Sequence, residues 1–523
     1  RERGEAEGAE DHGAVRERAW VSLERGRRIA HPSPNPFTEG MGFGAACYCV
    51  GVSDDGFAIS SRRVIAGGRI APATVVVRSG KIVDVVAGER QSPGVHTIDV
   101  GNLWVMPGIV DVHVHVNEPG RTEWEGFATA GRAAVAGGVT TVVVMPLNCS
   151  PVATSVSALL GEVRAAEGVC ACDFGFWGGV VPGNVGELRK LWDAGVLGFK
   201  CFTVHSGIDE FPNVTRRDLE EAMPVIASLR DGNRSGVLLA HSEDPALIEA
   251  AREPSGLDAD PRSYRKYLAS RPPESETRAV EMMVEMCRGT GCRTHIVHVS
   301  AGDSLGLIAN AKRHLSGFSA ETCPHYLAFA AEEIAEGATE FKCAPPIRER
   351  AHREALWRGL QEGLLDLVAS DHSPAPAELK SLQEGNFAKA WGGIAGLQVQ
   401  LPAVWSAASE HGCTLLRIAQ WMCEAPAKLA GIEDQKGKIA PGMDADLIVF
   451  DAGAKWTVRG SELEHRHKAT PYDGRDVLGV VLATFVRGKQ VFSSGTLKCG
   501  AGLDGERAFA KEASGRWVKR SLV

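Results

Sequence analysis

Six side chains in this sequence are of types that hold a divalent cation or activate water. His113 and His115 form an H-x-H pair in the run GIVDVHVHV. In a strand, i, i+2 spacing turns both imidazoles to one face, where they can chelate a single ion. His241 lies in GVLLAHS, His298 in THIVHVS, and Asp371 follows the apolar run LDLVAS. Each has an ordinary alternative. A lone H-x-H also describes a polar strand end, a single His is commonly a satisfied core residue, and an Asp after an apolar run can cap the next helix. Their coincidence at the ends of separate apolar runs favours a metal site. Lys200, in VLGFKCF, extends it. Its alternative is a snorkelling surface amine. An ammonium between two divalent ions would be repelled, whereas a neutral amine there can add carbon dioxide and offer carbamate oxygens to both.

Such convergence demands elements that bring distant stretches together. Eight short apolar runs read as strands: GIVDVHVHV, VTTVVVMPL, DFGFWGG, VLGFKCF, GVLLAHS, THIVHVS, GFSAETCP and LDLVASDHS. Continuous Val/Leu/Ile runs mark strands buried on both faces, as in parallel sheets. The stretches between them, such as SVSALLGEVRAAEG and ETRAVEMMVEMCRG, carry helical apolar spacing. This pattern predicts an α/β fold, a (β/α)8 TIM-like barrel over 106–435, with its site at the C-terminal strand ends. A doubly wound open sheet is the structural rival; a closed barrel better gathers the six side chains at one rim. Short β-branched runs in 56–105 and again in 436–523 predict one small β-sandwich domain built from both chain ends. Residues 1–55, charged and broken by Pro and Gly, read as a disordered, targeting or expression-derived extension.

Composition narrows the partners. The 523 residues carry a formal charge of −8, and no basic stripe points to nucleic acid. No apolar run reaches the roughly 18 residues that a membrane span needs, so a soluble chain with no membrane partner is expected. Thirteen cysteines scattered through a long chain read as reduced thiols of an intracellular protein, cytoplasmic or organellar. Cys47 and Cys49 make a C-x-C pair without the second pair that structural zinc wants. The glycines of AGRAAVAGG fit no phosphate loop, and Trp124, Trp177 and Trp391 read as packing residues rather than a cage.

The stretches MPGIVDVHVHVNEPGRTEWEGF, GGVTTVVVMPLN, GFKCFTVHSGIDEFP, AHSED, HIVHVS, ETCPHYLAF, FKCAPPIRER, SDHSP, KAWGGIAGLQ and APGMDAD resemble the cyclic amidohydrolases, the hydantoinase and dihydropyrimidinase group, and among these the allantoinases. The likeness runs from about residue 60 to about residue 495. It implies a pair of Zn2+ ions, with Mn2+ or Co2+ as alternatives that the same ligand types accept. His113, His115 and Asp371 would hold one, His241 and His298 the other, and a carboxylated Lys200 would bridge them. It further implies that a hydroxide between the ions attacks a ring amide of (S)-allantoin to give allantoate. Asp371 would serve as base and then acid, with Asn148 and Ser300 binding the ureido ring. A homo-oligomer, dimer or tetramer, is implied as well. The rivals are hydantoinase or dihydropyrimidinase activity on a related ring, and a non-catalytic scaffold of the same fold, against which the complete ligand set weighs. Dihydroorotases carry Arg where this chain has Asn117, so an uncharged ring is expected. Hydantoinases normally lack EPGRTEWEG and FKCAPPIRE. Val144 stands where the family usually has Asp, and His205 where it commonly has Pro.

Overall fold

A computed structural model describes residues 56–90, 94–232, 234–494 and 507–520. The expectations for residues 1–55, Cys47 and Cys49 among them, fall outside the described residues.

Eight parallel strands form the centre: β1 (Ile109–Val114), β2 (Val139–Val144), β3 (Asp173–Phe176, continuing as Gly178–Gly179), β4 (Phe199–Phe202), β5 (Val237–His241), β6 (Arg293–Ile296), β7 (Phe318–Thr322) and β8 (Leu367–Val368). Each pairs in parallel with its successor. Closure comes just past β8, where His372 bridges Val114 and the His115 amide donates to the His372 carbonyl at 2.8 Å. Buried Asp111 locks the seam. It accepts from the Ser370 amide at 3.2 Å and from Gln400 Nε2 at 2.8 Å. The sheet is therefore a closed barrel, not the open doubly wound alternative. Helices on the outer face cover it, for instance Phe127–Ala136 between β1 and β2 and Arg216–Ser228 after β4. The latter opens on a reciprocal capping box between Thr215 and Asp218.

Strand alternation sorts the side chains. In β4, Phe199 and Cys201 pack outward against the helices, and Phe202 packs in the barrel interior. Lys200, between the two outward residues, therefore faces inward too. β1 departs from strict alternation. Val110 and Val112 pack inside, yet Val114 and Val116 belong to the outer core. A register shift between Asp111 and Val114 reverses the parity and thereby turns His113 and His115 inward.

The second layer of structure is a nine-stranded sheet drawn from both ends of the chain. Its junction is Trp104–Pro107 paired antiparallel with Leu447–Thr457. Phe57–Ala66 and Asp476–Val486 stand three strand steps apart in that sheet, about 14 Å if it were flat. The Phe57 and Phe485 rings nevertheless stack at 5.2 Å. The sheet must fold over itself, which is the sandwich expected. Lys436 ties this layer to the barrel by reaching Asp173 of β3 at 2.5 Å, Asp444 at 2.9 Å and Asp446 at 2.8 Å. With an ammonium already among them, those three carboxyl groups offer no vacancy to a cation.

All ten described cysteines are free thiols, and among the described residues no helix is long and apolar enough to cross a membrane.

Candidate metal centre and active-site cavity

His113 arrives on β1 and His115 one residue past it, Lys200 on β4, His241 at the end of β5, His298 two residues past β6 and Asp371 three past β8. Lys200 stands inside its strand rather than at its end. The loops bring these side chains to one place. Asp371 Oδ1 lies 3.2 Å from His113 Nε2 and 3.3 Å from His115 Nε2. The imidazole centroids of His113 and His298 are 5.4 Å apart, and those of His241 and His298 are 4.5 Å apart.

Electrostatics favours lone pairs over protons here. Burial, reinforced by Lys200 and the neighbouring imidazoles, holds His113 and His298 well below the usual histidine range. Burial lowers His241 as well, against the pull of Glu243. Burial also brings the Lys200 amine down to about 8, although Asp371 and Glu321 oppose it. Its Nζ is buried without a hydrogen-bond partner, as is His298 Nδ1. Imidazoles whose proton affinity burial has lowered, a buried amine with no hydrogen-bond partner and a carboxyl group at hydrogen-bonding separation fit a cation site.

The orientation of these groups is fixed from behind. His113 Nδ1 donates to Glu321 Oε1 at 2.5 Å, leaving Nε2 free towards Asp371. The other Glu321 oxygen meets His295 Nε2 at 3.0 Å, and His295 Nδ1 meets Ser319 Oγ at 2.8 Å. His241 Nε2 contacts Glu243 Oε2 at 2.6 Å, so its Nδ1 is the free nitrogen. Arg271 grips both Glu243 oxygens at 2.9 and 2.5 Å. Burial alone would raise the Glu243 carboxyl; Arg271 and His241 outweigh it and hold it near 2, down to about 2. Sequence reasoning missed Glu321, Glu243, His295 and Arg271. ETCPHY and AHSED contain the two carboxylates, and their positions beside the ligands were the available signal.

Outside this cluster opens a cavity of about 480 Å³. His113, His115, His241, His298 and Asp371 line it together with Asn148, His205, Lys342 and Trp391.

Residues 104–491 match the model of the Amidohydrolase family. The chain belongs to the amidohydrolase family. It is 44% identical over 445 residues to the allantoinase of Streptomyces avermitilis, covering 85% of this chain and 97% of that one. It is 42% identical to the allantoinase of Saccharomyces cerevisiae, covering 84% of this chain and 95% of that one. Among solved structures it resembles the L-hydantoinase (dihydropyrimidinase) of Arthrobacter aurescens, with a TM-score of 0.80 and 32% identity over 89% of this chain and 100% of that one.

Within this amidohydrolase the substrate-facing expectations fare unevenly. Asn148 lines the cavity, with Nδ2 at 3.4 Å from His115 Nδ1 and Oδ1 buried without a partner. Ser300 is a correction. Its hydroxyl donates to the Pro346 carbonyl at 2.7 Å and meets Glu276 at 3.2 Å, and it does not line the cavity. That serine side chain braces a loop, so no free hydroxyl faces a ring. Asn117 is 1% exposed, and both polar atoms of its side chain are buried without a partner. Trp177 is a core residue whose Nε1 donates to the Val112 carbonyl at 2.8 Å.

Proposed function

We infer that this amidohydrolase opens the ring of (S)-allantoin to give allantoate, with two divalent cations in the cavity. The observation that carries the reading is the meeting of four imidazoles, a buried unpartnered amine and Asp371 at one barrel mouth, in a chain whose relatives are allantoinases across nearly their whole length. His113, His115 and Asp371 would hold one cation and His241 and His298 the other. Lys200 would bridge them once its neutral amine has added carbon dioxide and lost a proton to become a carbamate. When bound, the cations supply Lewis acidity, lowering the pKa of water and polarising a carbonyl. Zinc, manganese and cobalt all suit these donors.

The chain's own groups do the rest. Asp371, within hydrogen-bond reach of His113 and His115, takes the proton of the attacking water and returns it to the ring nitrogen as the C–N bond breaks. Glu321 and Glu243 keep His113 and His241 in the tautomers that leave their free nitrogens unprotonated. Asn148 Oδ1, unpartnered in the cavity wall, accepts an N–H of the ureide. The protein acts as a homo-oligomer, a dimer or tetramer.

The test combines metal analysis, intact mass and turnover. Purified protein is expected to carry close to two transition-metal ions per chain and a Lys200 peptide heavier by one carbon dioxide. It should open allantoin faster than hydantoin, dihydrouracil or dihydroorotate, lose activity to a chelator and regain it on metal add-back. Faster turnover of dihydrouracil would move the assignment to the dihydropyrimidinases. Fewer than about one tightly bound ion per active chain would discard the two-cation scheme.

A further inference from the structure

Two hydrogen-bond donors in the cavity lining lack the acceptors their neighbours have. Lys342 lies in FKCAPPIRER and lines the cavity. Its ammonium has three N–H groups, of which the Ala390 carbonyl accepts one at 2.5 Å; the Tyr267 ring lies 5.3 Å from Nζ. Among the described residues no carboxyl group pairs with it. The other lining cations are committed: Arg271 to Glu243, Arg252 to Asp258 and Lys389 to Glu384. Burial and the adjacent Lys380 pull the Lys342 amine down to about 7, so it keeps its N–H donors whether or not it holds the third proton.

Trp391, in KAWGG, supplies the second donor. Its Nε1 is buried with no partner, while its ring packs edge-on against Trp124 at 4.9 Å and close over Gly207, whose φ is 98°. A Cβ at Gly207 would approach that ring to 3.2 Å, so the ring has little freedom to turn. One strap holds both donors. Buried Lys380 gives its N–H groups to the carbonyls of Lys342 at 3.2 Å, Trp391 at 3.2 Å and Gly393 at 2.8 Å. Its three hydrogen bonds thus tie together the backbone of Lys342, Trp391 and Gly393.

A ring amide is common to every cyclic ureide and belongs at the cations. What a ureido-substituted ring has and a bare hydantoin or dihydropyrimidine lacks is an exocyclic arm bearing a second carbonyl, an acceptor with two lone pairs. We propose that Lys342 and Trp391 form a subsite for that exocyclic ureido carbonyl, setting the preference for a ureido-bearing ring over a bare one. This rests on the allantoin reading and deepens it. A pocket that keeps donors waiting for a carbonyl discriminates strongly against a substrate without one, because that substrate strands both of them.

Steady-state kinetics on allantoin and on hydantoin in wild-type protein and in Lys342→Met, Lys342→Arg and Trp391→Phe variants test it. The ratio of kcat/KM for allantoin to that for hydantoin should fall at least tenfold in Lys342→Met and in Trp391→Phe, with the loss carried by the KM for allantoin. Lys342→Arg, which keeps charged N–H donors, should regain most of the ratio. A ratio within twofold of wild type in both of the first two variants overturns the subsite. Trp391→Phe removes the N–H together with the outer indole ring that packs over Gly207, so Lys342→Met and Lys342→Arg decide by the same criteria if Trp391→Phe fails to fold. Wild-type protein that opens hydantoin but not allantoin would instead sink the functional reading, and the subsite with it.

Discussion

Glu321 offers the sharpest test of how the cation site is set. It faces two imidazoles at once, His113 Nδ1 at 2.5 Å and His295 Nε2 at 3.0 Å. With acceptor oxygens on both sides, His113 keeps its proton on Nδ1 and its lone pair on Nε2, the nitrogen beside Asp371. Glu321→Gln leaves one oxygen and puts an NH2 group in place of the other. If the oxygen stays on His113, the NH2 faces His295, which must then accept at Nε2 and carry its proton on Nδ1. Ser319 Oγ, 2.8 Å from that Nδ1, can accept it, so the network survives with one bond weakened. Glu321→Ala leaves a buried His113 N–H with no acceptor and no fixed tautomer. Loss of such a partner behind a ligating histidine typically costs 10- to 100-fold in metal affinity. The expected loss is therefore about tenfold for Gln, roughly 1.4 kcal/mol, and near 100-fold for Ala. Competition of zinc against a fluorescent chelator reads this, with thermal melts run alongside to separate affinity from folding. Both variants binding zinc within twofold of wild type, or Gln binding worse than Ala, would refute the tautomer reasoning.

Arg271→Met removes both donors from Glu243, which has 0% exposure, and leaves it only His241. Breaking a buried pair from one side costs about 3 kcal/mol or more, so urea unfolding should show that loss, and Arg271→Met with Glu243→Gln should recover part of it. Glu162, buried beside Cys149 Sγ at 3.2 Å, is raised by burial to about 8 from an ordinary 4.5. Between about pH 4.5 and about pH 8 the folded chain keeps a proton that the unfolded chain has lost, so this group's contribution to stability falls as pH rises through that window and then levels off. Glu162→Gln should accordingly raise the Tm at pH 8 and change it little at pH 5; an equal change at both would show that Glu162 does not titrate with folding.

The sequence carried the barrel well because short strands such as Val139–Val144 and Val237–His241 are buried along their whole length, so they read as β-branched and apolar runs between helical stretches. The candidate ligands followed from side-chain type: imidazoles and an aspartate at or just past the ends of separate strands, and a lysine inside another. Their partners did not. Glu321 and Glu243 lie on β7 and just past β5, and nothing in ETCPHY or AHSED says which imidazole each will face, since that depends on how neighbouring strands are staggered. Ser300 failed for a related reason. A serine after a ligand histidine offers a hydroxyl to whatever is nearest, and here Glu276 and the Pro346 carbonyl reach it first. Turns that bring loops together are written in three dimensions, whereas strand burial is written in composition.

The aim of the ligands shows the same limit more finely. A perfect alternation continued from Val110 and Val112 would have left His113 outside the barrel; the register shift before Val114 turns it in. Asn148, His298 and Asp371 have φ of 73°, 41° and 46°, a left-handed backbone that costs a non-glycine residue of order 1–3 kcal/mol. Two of these are the proposed cation ligands and the third borders the cavity. Relaxing His298 or Asp371 to ordinary strand geometry would swing its side chain off the rim. The fold therefore spends stability to converge these groups, and a cation held by them would offset that cost by binding the arrangement that only the folded chain presents.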